Sequence, residues 1–232
     1  MKRKRSREDS TAVKVVKAVV TVFFILALLF VPAGTLRWPE AWLLLLLYFV
    51  MVSGVMVWMK TKAPGLLKER MSRNKEIKSW DKIIMTAYSF LLIMLLAVAG
   101  LDAVRFGWSE VPLFAKALGF IGYIPAMVFA FWAVRENAYA SDVVRIQEDR
   151  GHTVCTTGPY RFVRHPMYVG VILFILCFPL SLGSLYSFIP ASLIVVLFII
   201  RTSLEDKTLQ EELPGYKEYA QKVRYRLFPG VW

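Results

Sequence analysis

Four apolar runs, Ala18–Ala33, Ala41–Met59, Ile83–Leu101 and Leu113–Val134, each approach the roughly 20 residues needed to cross a hydrocarbon core of about 30 Å. A fifth block, Pro166–Ile200, has 35 residues, too many for one crossing and few for two. Pro179, Gly183, Ser184 and Pro190 interrupt it, which predicts a tight helical hairpin with Gly183–Ser187 at its tip. The expected fold is all-α: a polytopic membrane helical bundle of about six crossings that ends in a C-terminal helical hairpin. Composition agrees, since a chain that is 57% hydrophobic and only 20% charged is too apolar for an ordinary soluble domain.

Charge orients the spans. Lys and Arg concentrate in residues 1–17, 58–82, 135–165 and 201–226, which together hold 26 of the 29. Arg37, Arg105 and Lys116 fall in the alternate loops. The positive-inside rule then predicts an integral membrane protein with both termini cytoplasmic, and the net charge of +12 is mostly topology. The basic arm Lys2-Arg3-Lys4-Arg5-Ser6-Arg7 would suit phosphate contacts with nucleic acid, but beside an apolar segment its retention by anionic lipid is the simpler reading. No nucleic-acid partner is expected. No small-residue cleavage pattern closes the first apolar run, so it reads as an uncleaved first helix.

Several chemistries lack support. Cys155 and Cys177 occupy different predicted depths in a reducing compartment, which disfavours a disulfide. His152 and His165 have no metal-ligand spacing around them, so no metal is expected. Walker, Gly-rich dinucleotide and Ser-elbow motifs are missing from the sequence.

Two functional halves are expected. Residues 1–134 form an N-terminal transmembrane scaffold whose span interiors hold few ionisable groups, Asp102 and Lys116 being the main exceptions. Residues 135–232 alternate polar loops with the hairpin, and ionisable groups at a membrane edge are functional candidates by default. The run Arg161-Phe-Val-Arg164-His165-Pro166-Met-Tyr168 sets Pro166 as a first helical residue and His165 as its cap, with Tyr168 close by. The amides and positive dipole end there suit an anionic group. Arg161 and Arg164 either add charge to such a site or anchor the helix at lipid headgroups. Arg201 and Glu205 share a helix face at i,i+4; they form an ion pair, or Glu205 is free to hold ribose hydroxyls at the depth of His165. Tyr216, Tyr219 and Val223 follow Pro214-Gly215 in a short helix, interfacial or lid-forming.

These residues carry a resemblance. Gly151-His152-Thr-Val154-Cys-Thr-Thr-Gly158-Pro159-Tyr160, Arg164-His165-Pro166-Met-Tyr168-Val-Gly170, Glu205-Asp206-x-x-Leu209 and Tyr216-x-x-Tyr219 resemble the isoprenylcysteine carboxyl methyltransferase superfamily and, more loosely, phospholipid N-methyltransferases. The likeness covers roughly residues 135–232, with departures. Glu205-Asp206 stands where the family commonly has Glu-Glu, and Leu213-Pro214-Gly215-Tyr216 where it has Phe-Gly-x-Glu-Tyr. The resemblance implies S-adenosylmethionine in a largely enclosed cytoplasmic-side pocket, with His152 and Val154 bordering it, Tyr160, His165 and Tyr168 contacting it, and Glu205 at its polar end. It also implies a lipophilic small-molecule or prenylated acceptor that enters from the membrane lipid.

Methyl transfer from a sulfonium asks a site mainly to align donor and acceptor and exclude water. A carboxylate acceptor need only be ionised, whereas an amine or thiol must also lose a proton. Arg135 and Asn137, at the cytoplasmic end of the fourth span, are candidates for orienting the acceptor, and Glu205 is the third catalytic candidate. Two readings from other classes stay open: a sterol-reductase-like enzyme using NADPH, which shares an Arg-His-Pro-like element, and a non-enzymatic membrane scaffold.

Overall fold

The computed structural model describes residues 11–72 and 77–232, and the basic arm at 2–7 lies outside them. Eight α-helices are described: α1 (Thr11–Ala33), α2 (Pro39–Lys62), α3 (Pro64–Met71), α4 (Ser79–Gly100), α5 (Leu113–Glu136), α6 (Pro166–Leu182), α7 (Phe188–Glu212) and α8 (Tyr216–Lys222). A π-helical turn, Leu101–Phe106, prolongs α4, and no strand occurs among the described residues. Proline at the first turn, where no N–H is missed, starts α2, α3 and α6.

Five helices are long and apolar enough to cross a membrane: α1, α2, α4 with its π turn, α5 and α7. α6 is shorter, at 17 residues, or about 25 Å at 1.5 Å per residue. Its ends nonetheless meet opposite ends of the bundle. Arg164, just before α6, pairs with Asp206 near the close of α7, while Ser184, just after α6, bonds Asp102 at the far end of α4. The chain turns between Leu182 and Phe188, where the sequence puts the hairpin tip. Gly183 adopts φ +78° there, and the N–H groups of Gly183 and Ser184 return to the carbonyls of Leu180 and Pro179, a left-handed helix stop that favours glycine.

Long-range pairs fix the alternation of the helices. At one end, Arg70 of α3 donates to the carbonyl of Ala140 after α5, Arg145 pairs with Glu69 of α3, and Lys78 before α4 pairs with Glu212 of α7. At the other end, Lys116 of α5 pairs with Glu40 of α2 at 2.7 Å. There the fully buried Asp102 accepts from the Ser109 and Ser184 hydroxyls and the Tyr186 N–H. Asp102 and Lys116, the two ionisable residues singled out in the N-terminal half, thus tie the far end together.

The most intimate helix contact is α5 on α6. A Cβ on Gly170 would lie 2.6 Å from the Ala130 Cβ and 2.9 Å from its backbone, so only glycine permits this spacing, as is common between membrane helices. Leu29, Leu95, Tyr123, Ile175, Leu182 and Ile194 fill the interior. Val19, Phe23, Leu46, Phe90, Ile124 and Val196 stay exposed, as lipid-facing side chains do. The hairpin so built presents the start of α6 and the end of α7 side by side at the basic end.

Candidate active site

Asp206 organises that end. It has no exposed surface, and its carboxylate takes Nε and Nη2 of Arg164 at 2.7 and 3.0 Å, a two-point grip. It also receives the Tyr216 hydroxyl at 3.1 Å, Gln210 Nε2 at 2.8 Å and Arg226 Nε at 3.0 Å, with His165 Nε2 at 3.3 Å. A buried carboxylate without such partners would cost several kcal/mol, so α6, α7, α8 and the C-terminal segment are all held to one point. His165 occupies the cap position of α6, but its side chain makes no capping bond and turns to Asp206 instead. The backbone N–H groups of Arg164 and His165 donate to the carbonyls of Tyr225 and Arg226, so these two amides are not open to an anionic ligand.

A pocket lies beside this hub. Its walls include Asn137, Tyr139, His152, Val154, Tyr160, Arg164, His165, Met167, Tyr168, Glu205, Leu209, Leu213, Tyr216 and Tyr219. Of the cofactor and acceptor candidates named from the sequence, Asn137, His152, Val154, Tyr160, His165, Tyr168 and Glu205 line it, and Arg135, exposed on α5, does not. Arg161 is likewise exposed and off the pocket, as a headgroup anchor would be. Asn137 ends α5 and donates Nδ2 to the Tyr160 hydroxyl at 3.2 Å. The Tyr219 hydroxyl donates to the Tyr160 carbonyl at 2.8 Å, so α8 closes over the pocket with Tyr216 and Tyr219 buried beneath it. Its tyrosine face covers the pocket, and Lys217, Glu218, Gln221 and Lys222 face outward.

Glu205 is the pocket's exceptional charge. Arg201, one turn before it, does not pair with it. Arg201 donates Nε and Nη2 to Asp81 at 2.8 and 3.3 Å, and Nη2 also to the Asp142 carbonyl at 2.9 Å. Glu205 instead accepts the Tyr168 hydroxyl and makes no ion pair among the described residues. The ring of Tyr168 stacks on His165, nearly parallel at 5° with centroids 5.8 Å apart. Its other side meets the Arg201 guanidinium, 5.2 Å from the ring centre. The orientation of Glu205 is therefore set through Tyr168 by groups that are themselves pinned.

Two further electrostatic features matter. Burial, then the charges of Arg150 and Arg145, push His152 down to about 4, so its ring is neutral near pH 7 and its Nδ1 accepts the Gln147 N–H at 3.3 Å. Burial raises the phenols of Tyr160, Tyr216 and Tyr219 above their ordinary range, which leaves them protonated donors. The pocket thus offers aromatic faces, neutral donors and one carboxylate that makes no ion pair among the described residues, beside Arg145 and Arg164, which are engaged by acids. Such a set suits a ligand with hydroxyls and a positive centre.

Asp206, Asp81 and Tyr139 are site residues that sequence reasoning did not single out. The Glu205-Asp206 pair signalled the first. Nothing local signals Asp81, whose partner is 120 positions away.

A family model described as phospholipid methyltransferase matches residues 114–214, from the start of α5 to just beyond α7, and so includes Asn137, His152, Val154, Tyr160, His165, Tyr168 and Glu205. The match agrees with the resemblance read from the motifs at the level of a membrane methyltransferase family, over 101 of the 232 residues. No curated protein matches the chain.

Proposed function

From that family match we propose that the chain transfers a methyl group from S-adenosylmethionine to a lipophilic acceptor drawn from the bilayer. The observation that carries the reading is Glu205, a pocket carboxylate that accepts from Tyr168 and makes no ion pair among the described residues, while Arg201 is hydrogen-bonded to Asp81. The residues present fit the cofactor. Glu205 would hold its ribose hydroxyls, Tyr160, His165 and Tyr168 would pack against it, and His152 and Val154 would border it. Bound there, S-adenosylmethionine supplies a methyl group on a sulfonium whose departure leaves a neutral thioether.

The chain's own contribution is alignment and dryness. Tyr216 and Tyr219 of α8 roof the pocket and exclude water, which strengthens every polar contact inside. Asn137 stands at the pocket wall with its amide on Tyr160 and is the candidate for orienting the acceptor. Arg135, exposed at the end of α5, would act only at the headgroup level outside.

Met167 gives the pocket an apolar inner wall, which suits a lipophilic acceptor. It lines the pocket and packs against both the main apolar core and the Met59, Leu66, Val134 cluster. The pocket wall is therefore continuous with the apolar interior. The segregation of basic residues supports a cytoplasmic site with both termini on that side, and the pairing of Glu40, Asp102 and Lys116 at the far end supports a scaffold role for residues 1–134.

Calorimetry on the purified chain with S-adenosylmethionine and with NADPH tests the reading. Saturable binding of the former alone is expected. Preference for NADPH would replace it with the reductase, and binding of neither would leave the scaffold.

A further inference from the structure

A second depression lies on the other side of Asp206, walled by Arg164, Gln210, Lys217, Ala220, Gln221 and Arg226. Three of these are cations, two are amides and none is an acid. Asp206, at 0% exposure, supplies a single negative charge beneath, already shared by Arg164 and Arg226. The cleft's own walls therefore keep an excess of positive charge, while Glu211, Glu212 and Glu218 line the adjoining depression that shares Gln210 and Lys217.

Its arginines are not equivalent. Arg164 spends four of its five N–H donors: Nε and Nη2 grip Asp206, and Nη1 donates to the carbonyls of Val223 and Arg224. Arg226 is fixed but unspent. Its Nε donates to Asp206 at 3.0 Å, and its guanidinium lies 4.8 Å from the centre of the Trp232 ring. Nη1 and Nη2 make no hydrogen bond among the described residues. An arginine held on one edge and one face, with its outer edge free, has lost most of the rotamer freedom that binding would otherwise remove. Lys217, exposed on α8, adds a point charge and Gln221 an amide donor.

We propose that this cleft binds a phosphate group, with Arg226 Nη1 and Nη2 as a fork on two of its oxygens and Lys217 on a third. Arginine suits phosphate through paired N–H groups and lysine through compact charge. The cleft sits where α7 leaves the bundle, next to the exposed Tyr225. That position gives access both to a phospholipid headgroup and to a soluble phosphate compound, and the two sources share the recognition chemistry. The site is distinct from the methyl-transfer pocket but borders it through Arg164, which lines both.

The test titrates the purified full chain in neutral detergent with inorganic phosphate and, separately, with short-chain phosphatidic acid. The variants are Lys217→Glu and Gln221→Glu, both at exposed positions that take no part in the Asp206 hub, with Lys207→Glu on the exposed face of α7 as control. Saturable binding of at least one probe is expected, weakened about tenfold or more by Lys217→Glu and also reduced by Gln221→Glu, but unchanged in the control. Comparable affinity for both probes supports the site with soluble phosphate compounds as the source, and binding of the lipid alone supports it with a headgroup. No saturable binding, or equal affinity in Lys217→Glu and the control, overturns the proposal.

Discussion

Arg201 and Asp81, 120 positions apart in the chain, meet as a buried pair with Nε to Oδ1 at 2.8 Å. The same Asp81 carboxylate accepts the Val144 N–H at 2.8 Å, so the start of α4, the end of α7 and the loop after α5 share one junction. That junction also bears on the pocket's electrostatics, because the Arg201 guanidinium is hydrogen-bonded to Asp81 while its charge still reaches Glu205.

Breaking the pair from one side should therefore do two things. Asp81→Asn leaves the arginine buried without its counter-charge, a change that costs about 3–5 kcal/mol. It also frees Arg201 to turn toward Glu205. Thermal unfolding in detergent should show a marked drop in Tm, and S-adenosylmethionine affinity should fall with it; an unaltered Tm would show that the junction does not support the fold.

Glu205→Gln preserves size and keeps an acceptor for Tyr168 while removing the charge. A charge-assisted hydrogen bond contributes about 1.5–3 kcal/mol, so cofactor affinity should weaken roughly 10- to 150-fold with little change in Tm. His165→Ala should weaken binding in the same direction by removing the ring that Tyr168 stacks on. Calorimetric affinities equal to wild type in both variants would remove these residues from the site.

The spans, the hairpin tip and most of the pocket wall were legible in the sequence, because each is local. Apolar run length marks a helix, Gly183 and the flanking prolines mark a stop, and Tyr160, His165, Tyr168 and Glu205 lie in compact motifs. The i,i+4 spacing of Arg201 and Glu205 allowed an ion pair, yet the structure gives Arg201 a partner on α4. Spacing states which residues can meet on one helix, not what another helix offers. For the same reason, an Asp206 held by five residues was visible only as the second half of an acidic doublet.

His152 gives the fold a pH dependence of definite sign. Its folded value of about 4 lies below the ordinary 6.5, so the unfolded chain takes up a proton before the folded one does. The stability contributed by the neutral ring is fully present above pH 6.5 and is lost as pH falls through about 4. Between those limits, Tm of the wild type should decline more steeply than Tm of His152→Gln. Parallel declines would mean that His152 does not titrate differently on folding.

Gly170→Ala places a methyl group 2.6 Å from the Ala130 Cβ. Overpacking of this kind typically costs about 1–3 kcal/mol, and here it would push α5, which carries Asn137, away from α6, which carries Tyr168. Loss of Tm together with loss of cofactor affinity is expected. Gly54→Ala, where a Cβ meets nothing within 4 Å, should leave both unchanged.

Orientation can be read with a cysteine placed at Ser79, at the start of α4. It should resist impermeant thiol reagents in intact cells and react after permeabilisation. Strong labelling from outside would invert the arrangement and put the pocket on the other face.

The central claim is tested most directly by incubating the purified chain with methyl-labelled S-adenosylmethionine and a membrane lipid extract, then partitioning the products. Label should appear in the organic phase with wild type and be sharply reduced with Glu205→Gln, and base treatment should release volatile methanol only where the product is an ester. Label confined to water-soluble products, or organic label made equally by both proteins, would contradict methyl transfer to a lipophilic acceptor at this pocket.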